Sequence, residues 1–393
     1  MSRLILRPDR FVAGGDAMAR DDDGRVVFVR GALPGEAVAV EITAAKKDWA
    51  RADVVDVVDP SPDRVAPPCP SRRSGCGGCG WQHLTIEAQR SARVAIVSDA
   101  LRRLGGVDVP VVEPGGGIEP TGYRTTVRVV AGPDGRPGFR AERSHDVVAA
   151  PNCLVAHRPL AELLPQLRLD AAVEATLRMS VATGELNARW DGGGGDVRGL
   201  PGGTATGRSA ALHEDVAGRR LRVSMGSFFQ SGPQAAELLA ATVRRSAPEL
   251  AGAGVVVDAY SGMGMLAATV TDTSSTVIAI ETSRSAVADA RHNLVDREVD
   301  VVRGEVGGWH PPAGLAVDVV LADPARSGLG RPGVTALVRT AAPVLVLVSC
   351  DPASLGRDTK LLAAAGYGHE RTVVVDTFPH TTHVEAVTRF VRV

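Results

Sequence analysis

The chain contains no run of about 18 apolar residues, so no segment reads as a membrane-spanning helix. Its opening, MSRLILRPDR, lacks the apolar stretch of a secretory signal. A cytoplasmic protein with no membrane partner is the expectation. Lysine is nearly missing: Lys46, Lys47 and Lys360 are the only three, so arginine supplies 41 of the 44 basic residues. A GC-rich genome explains that bias without reference to function. Nor is there a global electrostatic field, because the net charge is -1. The charge is uneven, however: seven arginines fall between Arg64 and Arg103, against Glu87 and Asp99. At 393 residues, 44% hydrophobic and 23% charged, the chain has length for two or three domains with real cores.

Cysteine is scarce and clustered. Of five, Cys69, Cys76 and Cys79 sit around a glycine-rich turn, GCGGCG, where the backbone can wrap closely. Disulfides are unexpected in a cytoplasmic chain. Three thiolates converging on one centre need a fourth, and Cys153 in APNCLV is the candidate. Four cysteines fit tetrahedral zinc or an iron–sulfur cluster, and spacing alone leaves that choice open.

The fifth cysteine belongs to a different pattern. Residues 255–264, VVVDAYSGMG, read as a buried parallel strand that ends in Asp258 and runs into a glycine turn containing Tyr260, Gly262 and Gly264. Further on, TVIAI ends in Glu281, VDVVLADPAR carries Asp323, and PVLVLVSCDP carries Cys350. Four strand ends meeting at one edge form the ligand crevice of an open α/β sheet, with Glu281 placed to hold a ribose. The loop Gly262-x-Gly264-x-x-Ala267 satisfies a nucleotide-binding pattern compatible with NAD, FAD or S-adenosylmethionine. Asp258 beside that loop favours a cationic sulfonium cofactor over a pyrophosphate, which would be repelled. Cys350, at a strand tip beside a polar cleft, is either a nucleophile or a small residue closing a core strand.

Upstream, short alternating stretches in residues 1–59 argue for a β-barrel. The segment PGEAVAVEI resembles the TRAM module, an OB-like barrel associated with RNA-modifying enzymes. A proline-rich linker follows. Residues 85–104 read as a helix starting after Thr85, with Ile86, Val94, Val97, Leu101 and Leu104 buried and Arg90, Arg93, Arg102 and Arg103 on the exposed remainder. From 106 to 225 the pattern is β-rich and broken by glycine. In GSFFQSGPQ, Phe228 and Phe229 point to different sides, one into the core and one toward a ligand, unless both are core. The expected organisation is a barrel at 1–59, a β-rich central domain carrying the cysteines at 60–225, and a Rossmann-like α/β domain at 226–393.

Taken together, DAYSGMGM, DPARSG, SCDPASLGRD and DTFPHTTHVE, with the upstream CGGCGWQHL and PNCLV, resemble the bacterial RNA uracil-5-methyltransferase family over nearly the whole chain. The resemblance implies that Cys350 is the nucleophile and Glu385 the general base. It places the S-adenosylmethionine contacts on Gln230, Tyr260, Glu281 and Asp323. It also implies a [4Fe–4S] cluster on Cys69, Cys76, Cys79 and Cys153, and an RNA partner, ribosomal RNA rather than transfer RNA, methylated by a monomer. His380 and His383 are given packing or orienting roles. The chain departs from the family pattern at Ser231-Gly232-Pro233, at Ser261 and Met265, and by one residue between Cys69 and Cys76; weaker cofactor binding is the expected consequence. Two rivals remain: a nicotinamide-dependent iron–sulfur oxidoreductase, and an RNA-binding protein with a degenerate methyltransferase domain.

Overall fold

The computed structural model describes residues 4–393. Near the C-terminus lies an eight-stranded sheet. Its spatial order is Val299–Arg303, Thr276–Glu281, Val255–Ala259, Val319–Ala322, Val344–Ser349, Glu385–Arg392, Tyr367–Asp376 and Val112–Gly117. The first five strands are mutually parallel, and Glu385–Arg392 inserts antiparallel to both its neighbours. Parallel strands flanked by helices are buried on both faces, and Val344–Ser349 is buried at every position. One face packs Val256, Leu321 and Val346 against Leu239, Val243 and Leu266; the other packs Val257, Val320 and Leu345 against Val97, Leu101, Leu337 and Leu355. Strand order reverses between Val255–Ala259 and Val319–Ala322, the switch point at which such sheets bind ligands.

Residues 4–59 form a separate six-stranded sheet around Leu6, Val27, Val29, Val38 and Val40. A second six-stranded sheet, from Thr126–Ala131 to Ala205–Thr206, encloses Val127, Leu160, Leu164, Leu167 and Leu177. No helix among the described residues is long and apolar enough to cross a membrane.

The expected 60–225 block is divided. Val112–Gly117 pairs in parallel with Tyr367–Asp376 as an edge strand of the large sheet, and the helix Ile86–Arg103 packs on the helix Pro352–Ala364. The hairpin of Ala211–Val216 and Arg219–Ser224 packs on the helices Pro233–Ser246 and Arg284–Asn293. A sequence like VEPGGG carries no alternation to announce a strand. Its pairing rests on backbone groups, and its proline is tolerated at a sheet edge.

The helix begins as expected, with the Thr85 hydroxyl accepting the Ala88 N–H at 3.3 Å. Its faces differ from expectation in two places: Leu104 is 43% exposed and Arg93 only 1% exposed. Arg93 is buried because its guanidinium is matched. It lies 3.3 Å from Asp376 and donates to the carbonyls of Phe378, Thr381 and His383 at 3.1, 2.7 and 2.8 Å.

Candidate active site at the carboxyl edge of the sheet

At the carboxyl ends of the parallel strands lies a cavity of about 770 Å³. Its lining includes Gln230, Asp258, Tyr260, Gly262, Glu281, Asp323, Cys350 and Glu385, so eight residues expected from scattered segments share one wall. Gly264 stands behind them. Its φ of 80° starts the helix Met265–Val270, and an added Cβ would lie 3.1 Å from Leu294, so this glycine shapes the loop from outside the cavity.

The glycine loop is tied to the neighbouring strand end. Glu281 accepts the N–H groups of Gly262 at 3.0 Å and Ser283 at 2.6 Å, which holds the carboxylate at the cavity rim. Tyr260 adopts a φ of 59°, turning the chain sharply after the strand. Asp258 is 1% exposed; one oxygen accepts from Ala267 N–H at 3.2 Å and the other has no partner. Burial pushes its carboxyl up to about 7, helped by Asp323 and Glu281. A group in that state is short of a donor or a cation.

Cys350 and Glu385 are brought together by register. Ser349 pairs with Ala386 across the antiparallel junction, so Cys350, one residue after Ser349, and Glu385, one residue before Ala386, face each other at the sheet edge. Glu385 is 5% exposed, and burial together with the Asp323 carboxylate holds its carboxyl well above the usual range. Burial likewise raises Asp323. The Cys350 thiol is pushed up to about 11 by burial and by Glu385 and Asp323, with Arg326 acting in the opposite sense.

The lining is also basic. Arg124, Arg178 and Arg326 join the acids in the cavity. Arg178 donates to Thr126 and to the carbonyls of Ser224 and Ser227, and burial lowers it to about 10. Arg326 lies in the DPAR motif, which was its available signal; its guanidinium is 3.2 Å from His383 Nδ1. His383, lowered to about 4 by burial and nearby arginines, is neutral and stacks edge-on with Phe378 at 5.6 Å. Both phenylalanines line the cavity but differ in exposure: Phe229 is 7% exposed and packs into the core, whereas Phe228 is 69% exposed. The Ser231-Gly232-Pro233 departure has a structural account. Ser231 donates to the Thr377 carbonyl at 2.8 Å, and a Cβ on Gly232 would fall 2.2 Å from the Tyr123 carbonyl oxygen.

The loop leading into Glu385 is bound from several directions. Besides Arg93, Gln89 accepts the His380 N–H at 2.7 Å, Tyr123 donates to the Pro379 carbonyl at 3.0 Å, and Trp81 N–H donates to the His380 carbonyl at 2.9 Å. His380 itself, at φ 68°, packs away from the cavity.

Tyr123 also packs with Ile118, Val155 and Ala235 in a cluster that includes Cys79 and Cys153. Cys69, Cys76, Cys79 and Cys153 all carry free thiols. Burial pushes Cys79 up to about 12, with charge on Cys153, Cys76 and Cys69 adding to the effect, so the four lie in one electrostatic neighbourhood. As the side chains stand, no three His, Cys, Asp or Glu groups among the described residues are drawn together closely enough to hold an ion.

Comparisons with known proteins agree with this architecture. Residues 4–55 match the TRAM domain family. An RNA methyltransferase from Streptomyces coelicolor is 34% identical over 420 residues, covering 95% of this chain and 89% of the relative. One from Gloeobacter violaceus is 31% identical, covering 95% and 93%. Among solved structures, a Pyrococcus abyssi tRNA (uracil-54, C5)-methyltransferase in complex with S-adenosyl-L-homocysteine superimposes with a TM-score of 0.73 at 23% identity, over 98% of this chain and 99% of that one. That similarity establishes a shared fold. With the TRAM barrel, the strand-end cavity and near full-length identity to these relatives, the chain belongs to the RNA methyltransferase family.

Proposed function

We propose that the protein transfers a methyl group from S-adenosylmethionine to carbon 5 of a uracil in structured RNA, through a covalent bond between Cys350 and uracil carbon 6. The observation that carries this reading is the cross-strand juxtaposition of Cys350 and Glu385 in the cavity that also holds Asp258 and Glu281.

The cavity floor suits the cofactor. Asp258, with its unpartnered oxygen, and the rim carboxylate of Glu281 offer acceptors to ammonium and hydroxyl donors. A pyrophosphate would be repelled by the same groups, which disfavours a nicotinamide enzyme. Gln230, Tyr260, Asp323 and the Gly262–Gly264 loop complete the enclosure. When bound, S-adenosylmethionine supplies an electrophilic methyl on a positively charged sulfur.

Uracil carbon 5 is too weak a nucleophile to take that methyl unaided. Cys350 loses its thiol proton and attacks carbon 6, and the displaced electron pair passes through carbon 5 and carbon 4 onto oxygen 4 as an enolate. Carbon 5 then takes the methyl. Glu385 removes the carbon 5 proton, the electrons restore the ring double bond, and the Cys350–carbon 6 bond breaks to release the thiolate. The raised proton affinity of Glu385 makes it a better base than a solvated carboxylate. A uridine paired in a stem must swing out to reach the cavity. The exposed ring of Phe228 is available there for stacking.

Cys69, Cys76, Cys79 and Cys153 are proposed to hold a [4Fe–4S] cluster. Their fit rests on the donor chemistry of four free thiols, Cys69 buried and the others half-buried, from two segments in one neighbourhood, and binding would require the side chains to turn inward. No redox step enters the reaction, so the cluster's role is structural. Bound there, it would brace Tyr123 and the Cys79–Trp81 turn, both of which hydrogen-bond the loop before Glu385. Ribosomal RNA is the proposed substrate class.

The test uses anaerobically purified protein, S-adenosylmethionine, and unmodified ribosomal or transfer RNA tritiated at uracil carbon 5. Release of tritium from ribosomal RNA, abolished by Cys350→Ala, is the expected result. Release only from transfer RNA overturns the substrate class, and release from neither overturns the uracil-5 assignment.

A further inference from the structure

A second cavity, of about 700 Å³, opens between the N-terminal sheet and the helix Ile86–Arg103. Phe28 and Arg51 are register partners on the parallel strands Val26–Arg30 and Trp49–Asp59, and Trp49, two residues before Arg51, shares their face. The rings of Phe28 and Trp49 lie 6.4 Å apart, and the Arg51 guanidinium sits 6.0 and 5.9 Å from them. All three line the cavity, with Arg10 and Arg20 on the sheet side and Ile96, Ala100 and Arg103 on the helix side.

The barrel is fastened along one side of the cavity, by Phe11 against Trp81 at 5.1 Å and by Leu33 packed with Leu84 and Ile96; Phe11 and Ile96 belong to the lining too, while Phe28, Trp49 and Arg51 stand outside that cluster. A junction serving only to join two domains would be filled to interior density, as this neighbouring cluster is. The second cavity also reaches Ala353, in the first turn of the helix Pro352–Ala364, while the catalytic cavity reaches Cys350. A single short segment, 350–353, therefore separates the two.

We propose that this second cavity binds a nucleobase flanking the methylated uridine in the same RNA strand. Single-stranded RNA is held by bases stacked on aromatic rings and guanidinium planes, and Phe28, Trp49 and Arg51 supply such a surface. Arg10, Arg20 and Arg103 are exposed at the rim, where phosphates would run. The three acids of the lining are consistent with a base. Asp16 and Asp99 are paired with Arg51 and Arg103 at 3.2 and 3.3 Å, and exposed Asp48 is an acceptor for an exocyclic amine. A strand extruded from its stem would thus be gripped on both sides of Cys350, with the target in one cavity and its neighbour in the other. The inference rests on the RNA methyltransferase reading above.

The experiment compares wild type, Trp49→Ala, Trp49→Phe and Arg51→Ala, reading RNA affinity, KM and kcat for methyl transfer, and RNA-induced quenching of tryptophan fluorescence. Trp49→Ala should weaken RNA binding and raise KM about tenfold while kcat at saturating RNA stays within about twofold. Arg51→Ala should weaken binding less, Trp49→Phe should retain most of the affinity because the stack survives, and quenching should be lost in both Trp49 variants. Unchanged RNA affinity in Trp49→Ala and Arg51→Ala, with tritium release intact, overturns the subsite alone. Loss of affinity in Trp49→Ala in a protein that releases no tritium supports the subsite and overturns the uracil-5 chemistry instead.

Discussion

The molecule uses cysteine in two settings, and the contrast explains what each does. Cys350 ends a fully buried strand and faces Glu385 across an antiparallel junction, with Asp323 and Arg326 acting on its charge. Cys69, Cys76, Cys79 and Cys153 lie outside the large sheet in one another's neighbourhood, and Cys79 and Cys153 pack in the cluster with Tyr123. The first setting controls the protonation of one thiol and gives it a cavity to act in. The second gathers several thiols away from that cavity, beside Tyr123, which hydrogen-bonds the loop before Glu385. Reactivity follows from the groups facing a thiol, more than from its burial, since burial raises Cys350 and Cys79 alike.

The contrast breaks most visibly at the two thiol sites. Cys350→Ala should abolish tritium release while leaving visible absorbance and thermal stability unchanged. Cys153→Ser should do the reverse, removing absorbance and lowering Tm while leaving residual turnover. Glu385→Gln comes next: it should slow release about 10²- to 10⁴-fold. It should also trap a protein–RNA band that survives denaturing electrophoresis, because the adduct forms but cannot eliminate.

Arg93→Met tests the link between the two settings. It leaves buried Asp376 with only the half-exposed Arg90, 3.5 Å away, as its cation, an expected loss of about 3 kcal/mol in chemical denaturation. By loosening the loop before Glu385 it should also cut kcat about 100-fold with little change in RNA affinity. Arg326→Ala is milder. Arg326 opposes the rise of the Cys350 thiol, so its removal lifts that thiol further from about 11 and reduces the thiolate fraction at neutral pH. The rate of adduct formation should fall about tenfold. Because thiolate increases with pH up to that value, the alkaline-rising limb of the profile should move to higher pH in the variant. The smallest effect is at Thr85→Ala, which removes the helix cap at a cost of about 1 kcal/mol with catalysis intact.

Much of this site was legible because strand tips announce themselves. Buried runs ending in Asp258, Glu281, Asp323 and Cys350 predict one ligand edge, and all four line one cavity. Arg93 was misread as exposed, because a charged residue reads as solvated until its partners are known. Its partners lie at 376–383, more than 280 residues away. Arg124 and Arg178 were silent for the same reason: one precedes the central-sheet strand Thr126–Ala131 and the other lies on the strand Glu174–Met179, and only packing brings both to the cavity. The edge strand Val112–Gly117 was hidden because pairing through backbone groups leaves no side-chain period.

By itself, the sequence determined the parallel strands, the glycine turn, the order of the acids along the edge and the capped start of the helix. Each depends on residues close together in the chain. The tertiary structure decided that Glu385 stands opposite Cys350, that Arg93 is buried under the loop before Glu385, and that the aromatic cavity ends one short segment from Cys350. Those relations depend on which distant surfaces exclude water together, and local periodicity carries no record of that choice.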